Sequence, residues 1–247
     1  MSTPSMRSIF TAAVVAGLAA ALLVAGFHFM VTEPIIEQAI AIEDAAREME
    51  GIHDTPVISR EIQGRVGLFV GFLIYGVSWA LLFGAAYTLS HRVLPGASAA
   101  RRGMVLAALA YWAVCLVPFL RYPANPPGVG EPATIQYRQD LYIAVLCLSV
   151  VSTIASVAIA RYLGRGRPTG ILAAVTLGLL IAFAGGMYLM LPPNPDPIRL
   201  PLDLVFGFRL HSLAGLTLFW VILGAGFAWL VSRPPHGRPS ITGSSGP

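Results

Sequence analysis

Residues 66–89 read VGLFVGFLIYGVSWALLFGAAYTL, an apolar run from Val66 to Leu89 without one charged side chain. A helix rises about 1.5 Å per residue and the hydrocarbon core of a bilayer is about 30 Å thick, so about 20 such residues cross it. Five further runs qualify, at 8–31, 103–120, 141–160, 169–191 and 210–231. In lipid every backbone polar group must find its partner within the chain, which makes helix the default for runs of this kind. The period-two alternation of a membrane barrel is absent. Charged residues make up 11% of the chain, against about a quarter in soluble proteins, and the mean hydropathy is +0.72. The expected fold is all-α, a polytopic bundle of six transmembrane helices. Residues 1–232 form its single domain, and a Pro-, Gly- and Ser-rich tail over 233–247 is expected to be disordered and cytoplasmic.

Working outward from the runs, the charges between them alternate. All twelve carboxylates fall in the first, third and fifth connecting segments: Glu33 to Glu61, then Glu131 and Asp140, then Asp196 and Asp203. The second and fourth segments and both tails carry arginines and no acid, among them Arg92, Arg101, Arg102, Arg161, Arg165 and Arg167. Arginine in short loops marks the cytoplasmic side. Both termini are therefore expected inside, with three acid-bearing segments outside. Arg7 is a basic start, but the run at 8–31 exceeds a secretory signal's apolar core of about 7–15 residues, so it reads as a retained helix. The net charge of +4 is accounted for by inner-loop arginines facing anionic lipid, and nucleic acid is not needed to explain it. Cys115 and Cys147 lie inside predicted spans and read as small packing residues.

The first acidic segment continues helical spacing, with Ile36, Ile40, Ala46 and Met49 opposite Glu33, Glu37, Asp44 and Glu48. It predicts an amphipathic helix over 33–50 at the outer interface, bent away from the first span at Pro34 and ended by Gly51 and Pro56. The third and fifth segments hold Pro123, Pro126, Pro127 and Pro192, Pro193, Pro195, Pro197, a density that excludes regular helix and gives stiff turns. Glycines at 17, 67, 71, 76, 178, 185, 186, 224 and 226 predict close helix packing.

No phosphate loop, dinucleotide fingerprint, zinc-protease motif or nucleophile elbow is present, so no enzyme is indicated. Ionisable residues gather instead near the outer ends of the spans. His28, Glu33, Asp140 and His211 are the candidate metal ligands, because imidazole with carboxylate suits divalent transition metals without sulfur. Glu37, Arg65, Arg121, Asn125, Arg138, Asp203 and Arg209 form the supporting outer layer. For any single acid, interface anchoring or Arg–carboxylate pairing is a better account than metal contact. Asp140, within one turn of a helix start, would also suit the macrodipole.

The run Arg121-Tyr122-Pro123-Ala124-Asn125-Pro126-Pro127-Gly128-Val129-Gly130, followed by Thr134, Ile135 and Arg138, resembles the loop of the CbtA family of predicted cobalt transporter subunits. Glu33-Pro34-Ile35-Ile36 and Phe208-Arg209-Leu210-His211-Ser212-Leu213 agree in character. The resemblance implies a multi-pass component of cobalt uptake in a bacterial inner membrane, working with a small single-span CbtB-like subunit that ends in histidines. No cofactor is expected to be bound permanently; cobalt or nickel would be the transported ion. The alternative from another class is a non-transporting membrane scaffold or assembly subunit, which the rigid loops and the lack of mid-membrane charge suit as well.

Overall fold

The computed structural model describes residues 4–49, 51 and 59–233. Six helices are long and apolar enough to cross a membrane: α1 (Met6–Met49), α2 (Arg60–Ser90), α3 (Ala99–Arg121), α4 (Pro132–Leu163), α5 (Thr169–Met190) and α6 (Leu202–Val231). No strand occurs among the described residues, and the all-α, six-span expectation holds. Each of α1, α2, α4 and α6 overruns its apolar run at the acid-bearing end. The hydrophobic pattern stops where lipid stops, whereas the backbone ladder continues for as long as its hydrogen bonds close. Asp140 consequently lies beyond the first turn of α4, which contains no acid, and the macrodipole reading of that residue does not apply. The expected tail beyond Arg233 lies outside the described residues, as do Glu50 and Pro56 at the expected end of the amphipathic helix.

α1 occupies the centre, packed between α2 and α6, while α6 also packs on α3. α4 joins the outside of α3, and α5 leans mainly on α4. Since lipid tails are as apolar as leucine, contact between such helices rests on close van der Waals packing, which small residues permit. Ala13, Ala16, Ala20 and Ala21 of α1 are buried. At the α1–α2 crossing, a Cβ on Gly17 would stand 2.6 Å from the Ala80 Cβ and 2.8 Å from the Gly76 carbonyl oxygen, so only glycine fits. The glycine expectation is met at Gly17, Gly76, Gly224 and Gly226. It fails at Gly71, Gly178, Gly185 and Gly186, which have no neighbour within 4 Å. Cys115 is buried as expected, whereas Cys147 lies exposed on the outside of the bundle.

Pro34 does not break the first helix. α1 remains helical from Met6 to Met49 with one wide π-turn, His28–Thr32, in its path. A second π-turn, Trp112–Leu116, interrupts α3 ahead of Pro118. Each starts six residues before its proline. Proline supplies no N–H and its ring presses on the carbonyl four residues back, here Met30 and Val114. A turn that takes one extra residue accommodates that loss without ending the helix. A third π-turn, Gln63–Gly67, lies near the start of α2. The distal half of α1 rests on protein as well as facing outward: Ala39 is fully buried in a cluster with Leu200 and Val205.

The two ends of the bundle are tied differently. At the acidic end, the third and fifth connections touch each other, and a Cβ on Gly128 would meet the Glu43 side chain of α1 at 3.5 Å. At the arginine end, Arg161 donates to the Val93 carbonyl and so joins the second and fourth connections.

Candidate functional site

The acidic end is organised around a buried carboxylate that the sequence did not single out. Asp196 lies in the fifth connection with its side chain 1% exposed, and Arg138 Nε stands 2.9 Å from its Oδ2. That N–H is not aimed at the oxygen, so the contact is coulombic; Arg138 Nε has no hydrogen-bond partner. The hydrogen bonds come from elsewhere. The backbone N–H of Glu131 donates to Asp196 Oδ2 at 3.1 Å, and the Thr134 hydroxyl lies 2.7 Å from Oδ1. Arg138 also donates to the Glu131 carbonyl at 3.2 Å, and Glu131 in turn pairs with Arg199 at 2.7 Å. Gly130, at φ 115°, holds a left-handed turn that lays backbone against the Arg138 guanidinium. The two proline-rich loops are thereby bonded into one cap.

Other arginines close the remaining gaps. Arg209 of α6 donates to Asn125 Oδ1 at 2.7 Å. Arg121 donates to the Leu191 carbonyl, its guanidinium 5.0 Å from the centre of the Tyr188 ring. Glu33, 7% exposed, accepts from Arg60 of α2 and fills the space above Gly64. Arg65 pairs with Glu61 on the exposed face of α2 at 3.0 Å. Asp140 is exposed and accepts from Gln136 at 2.9 Å. Glu37 and Asp203 are exposed.

The two candidate histidines share a neighbour, Phe27. The Phe27 ring stands edge-on to both, with centroids 5.2 Å from His28 and 6.5 Å from His211. His28 belongs to the π-turn of α1, stacks on Phe72 of α2 at 5.1 Å, and its Nδ1 lies 2.8 Å from the Thr32 hydroxyl. Its Nε2 comes so near α6 that a Cβ on Gly215 would be 2.1 Å away. His211 Nδ1 is buried without a partner. In the tautomer that carries its proton on Nδ1, His28 donates to Thr32 and Nε2 keeps its lone pair, close against Gly215.

The four candidate ligands do not converge into one cluster. Glu33 is taken up by Arg60 and Asp140 lies exposed. Among the described residues, no three His, Cys, Asp or Glu side chains are placed to hold a metal together. Deeper in the bundle lie contacts that the sequence reading missed. Cys115, in the π-turn of α3, accepts from Trp220 Nε1 at 3.0 Å, and Tyr111 shares a 2.8 Å hydrogen bond with Thr217. The signal available for Cys115 and His28 was the proline a few residues downstream of each.

A bundle of six membrane-length helices with a bonded loop cap and two histidines beside one phenylalanine ring defines a multi-pass membrane protein. The family model described as probable cobalt transporter subunit (CbtA) matches residues 6–232. The chain belongs to that family. No curated protein and no solved structure matches it.

Proposed function

We propose that this chain is the translocating membrane subunit of a divalent-cation uptake system, with cobalt, the metal in the family description, as its cargo. The observation that carries the reading is the placing of His28 and His211 against one phenylalanine, Phe27, in a bundle from that family. In this reading the acidic end faces outward from a bacterial inner membrane and both termini are cytoplasmic. Glu37, Asp140 and Asp203, exposed at the acid-bearing end, raise the local cation concentration. The cation then exchanges water for imidazole nitrogen at His28 and His211. Borderline divalent metals accept imidazole readily, whereas Mg2+ and Ca2+ prefer oxygen, so the pair also selects. Two imidazoles leave most of a metal's coordination positions open. A small single-span CbtB-like partner with a histidine-rich end would supply further donors, and Glu33 joins them only when Arg60 moves off it.

A second reading has an observation in its favour. Glu33, Glu131 and Asp196 are occupied by Arg60, Arg199 and Arg138, as structural carboxylates are, and this suits a non-transporting assembly subunit. One experiment separates the two. Cells lacking their own high-affinity uptake, expressing the chain with a CbtB-like single-span protein, are measured for labelled cobalt. Transport predicts accumulation above empty controls and at least a tenfold fall in His28→Ala/His211→Ala at unchanged protein level. No accumulation overturns the transport reading, and accumulation indifferent to both histidines gives the site to other residues.

A further inference from the structure

A cavity of about 1040 Å³ lies between α2, α3 and α4, at the opposite end of the bundle from the histidines. Its wall is mainly apolar, with Ser90 and Thr153 as polar exceptions and with Trp79 and Trp220 at its deep end. At its mouth, on the arginine end of the bundle, stand Arg161 and Arg165. On the side facing the bilayer, Leu82 of α2 is 57% exposed and Ile154 of α4 is 65% exposed, so the cavity communicates with lipid and is not a sealed void. Its size reaches the upper end of the range of about 300–1,000 Å³ found for ligand pockets.

The depth tells what kind of molecule fits. On α2 the wall runs from Trp79 to Ser90, and on α4 from Val150 to Arg161. At about 1.5 Å per residue, each wall is about 16 Å tall, close to half of the 30 Å hydrocarbon core. A spanning helix of another chain needs the full thickness, whereas an acyl chain occupies one leaflet.

The charge tells which head it carries. Arg161 spends one N–H on the Val93 carbonyl and retains the remaining donors of its fork. Arg165 lies against the Tyr162 ring at 5.3 Å. Neither has a carboxylate partner among the described residues, and the second and fourth connecting segments contain no acid at all. Basic pockets between membrane helices bind anionic lipid heads, and paired guanidinium donors match phosphate oxygens. We propose that this cavity is a binding site for an anionic phospholipid of the surrounding bilayer, with an acyl chain between α2 and α4 and the phosphate on Arg161 and Arg165.

The test uses the full chain purified in mild detergent, with phosphatidylglycerol or phosphatidylcholine added and the bound lipid measured by native mass spectrometry. The site predicts at least tenfold tighter retention of phosphatidylglycerol. Arg161→Gln/Arg165→Gln brings it down to the phosphatidylcholine level. Arg165→Gln alone, which leaves the Val93 contact in place, weakens it at least threefold. Val150→Trp, which fills the cavity about three helical turns from Arg161, weakens both lipids. Equal retention of the two lipids, or undiminished phosphatidylglycerol binding in the double-arginine variant, overturns the proposal. So does a photo-crosslinker at position 158 that captures a polypeptide and no lipid in cells.

Discussion

Replacing Asp196 with alanine should unfasten the cap at the acidic end while leaving the bundle intact. The carboxylate receives two hydrogen bonds, from the Glu131 N–H and the Thr134 hydroxyl, and stands 2.9 Å from Arg138 Nε. Hydrogen bonds to a charged acceptor are worth about 1.5–3 kcal/mol each, and breaking a buried ion pair costs about 3–5 kcal/mol. These figures overlap rather than add. Arg138 is 29% exposed and can turn to water once its partner is gone. The lower bound is therefore appropriate, about 3 kcal/mol. If that energy holds the two loops together, its loss raises their opening equilibrium about 100-fold, at a factor of ten per 1.4 kcal/mol. Hydrogen exchange on the detergent-purified chain reads this directly, in peptides covering 122–134 and 192–200. Asp196→Asn keeps one acceptor oxygen and the shape, and should accelerate exchange about tenfold, near the 1.4 kcal/mol that such a factor represents. Peptides from the Gly17–Gly76 crossing should not change. An acceleration below threefold for Asp196→Ala, or one spread evenly over all six helices, refutes the account of the cap.

Gly17→Leu should force α1 and α2 apart and sharply lower the yield of monodisperse protein after heating. Gly178→Leu, at a position with no neighbour within 4 Å, should be tolerated in the same chromatographic assay. Arg60→Gln leaves the carboxylate of Glu33, 9% exposed, without its counter-charge and should destabilise the chain by about 3 kcal/mol. Glu33→Gln in the same chain should recover more than half of that in a thermal double-mutant cycle. Asn125→Ala removes the 2.7 Å acceptor of Arg209 and should cost about 1.5–3 kcal/mol, seen as faster exchange in the third connection only.

The six spans were legible because each is an uninterrupted apolar run of bilayer length, and no tertiary contact is needed to read one. Where the helices end was not, because Arg60–Arg65, Ile135–Asp140 and Leu202–Arg209 are helical through charged residues that hydropathy assigns to loops. The gathering of acids at one end was likewise visible in their order along the chain. Their pairing was not: Asp196 meets Glu131 and Thr134 across 65 and 62 residues, and Asn125 meets Arg209 across 84. No local pattern encodes such contacts. Glu33 and Asp140 looked equivalent as acids near helix ends, yet one is buried against Arg60 and the other exposed. Which face of the helix each occupies decides that difference. The π-turns sit between these cases. Pro34 reads as a bend and Pro118 was unremarked, yet each follows a widened turn, and those turns hold His28 and Cys115.

The length of α1 has a mechanical consequence. Its 44 residues span about 66 Å at the α-helical rise, more than twice the thickness of the hydrocarbon slab, and no loop interrupts them. Whatever leans on the half beyond the π-turn therefore works a lever arm. Tilt applied near Ala39 or Glu43 has no slack connection in which to dissipate, and it is delivered as torque to the tight glycine crossing at Gly17 and to the imidazole wedged against Gly215.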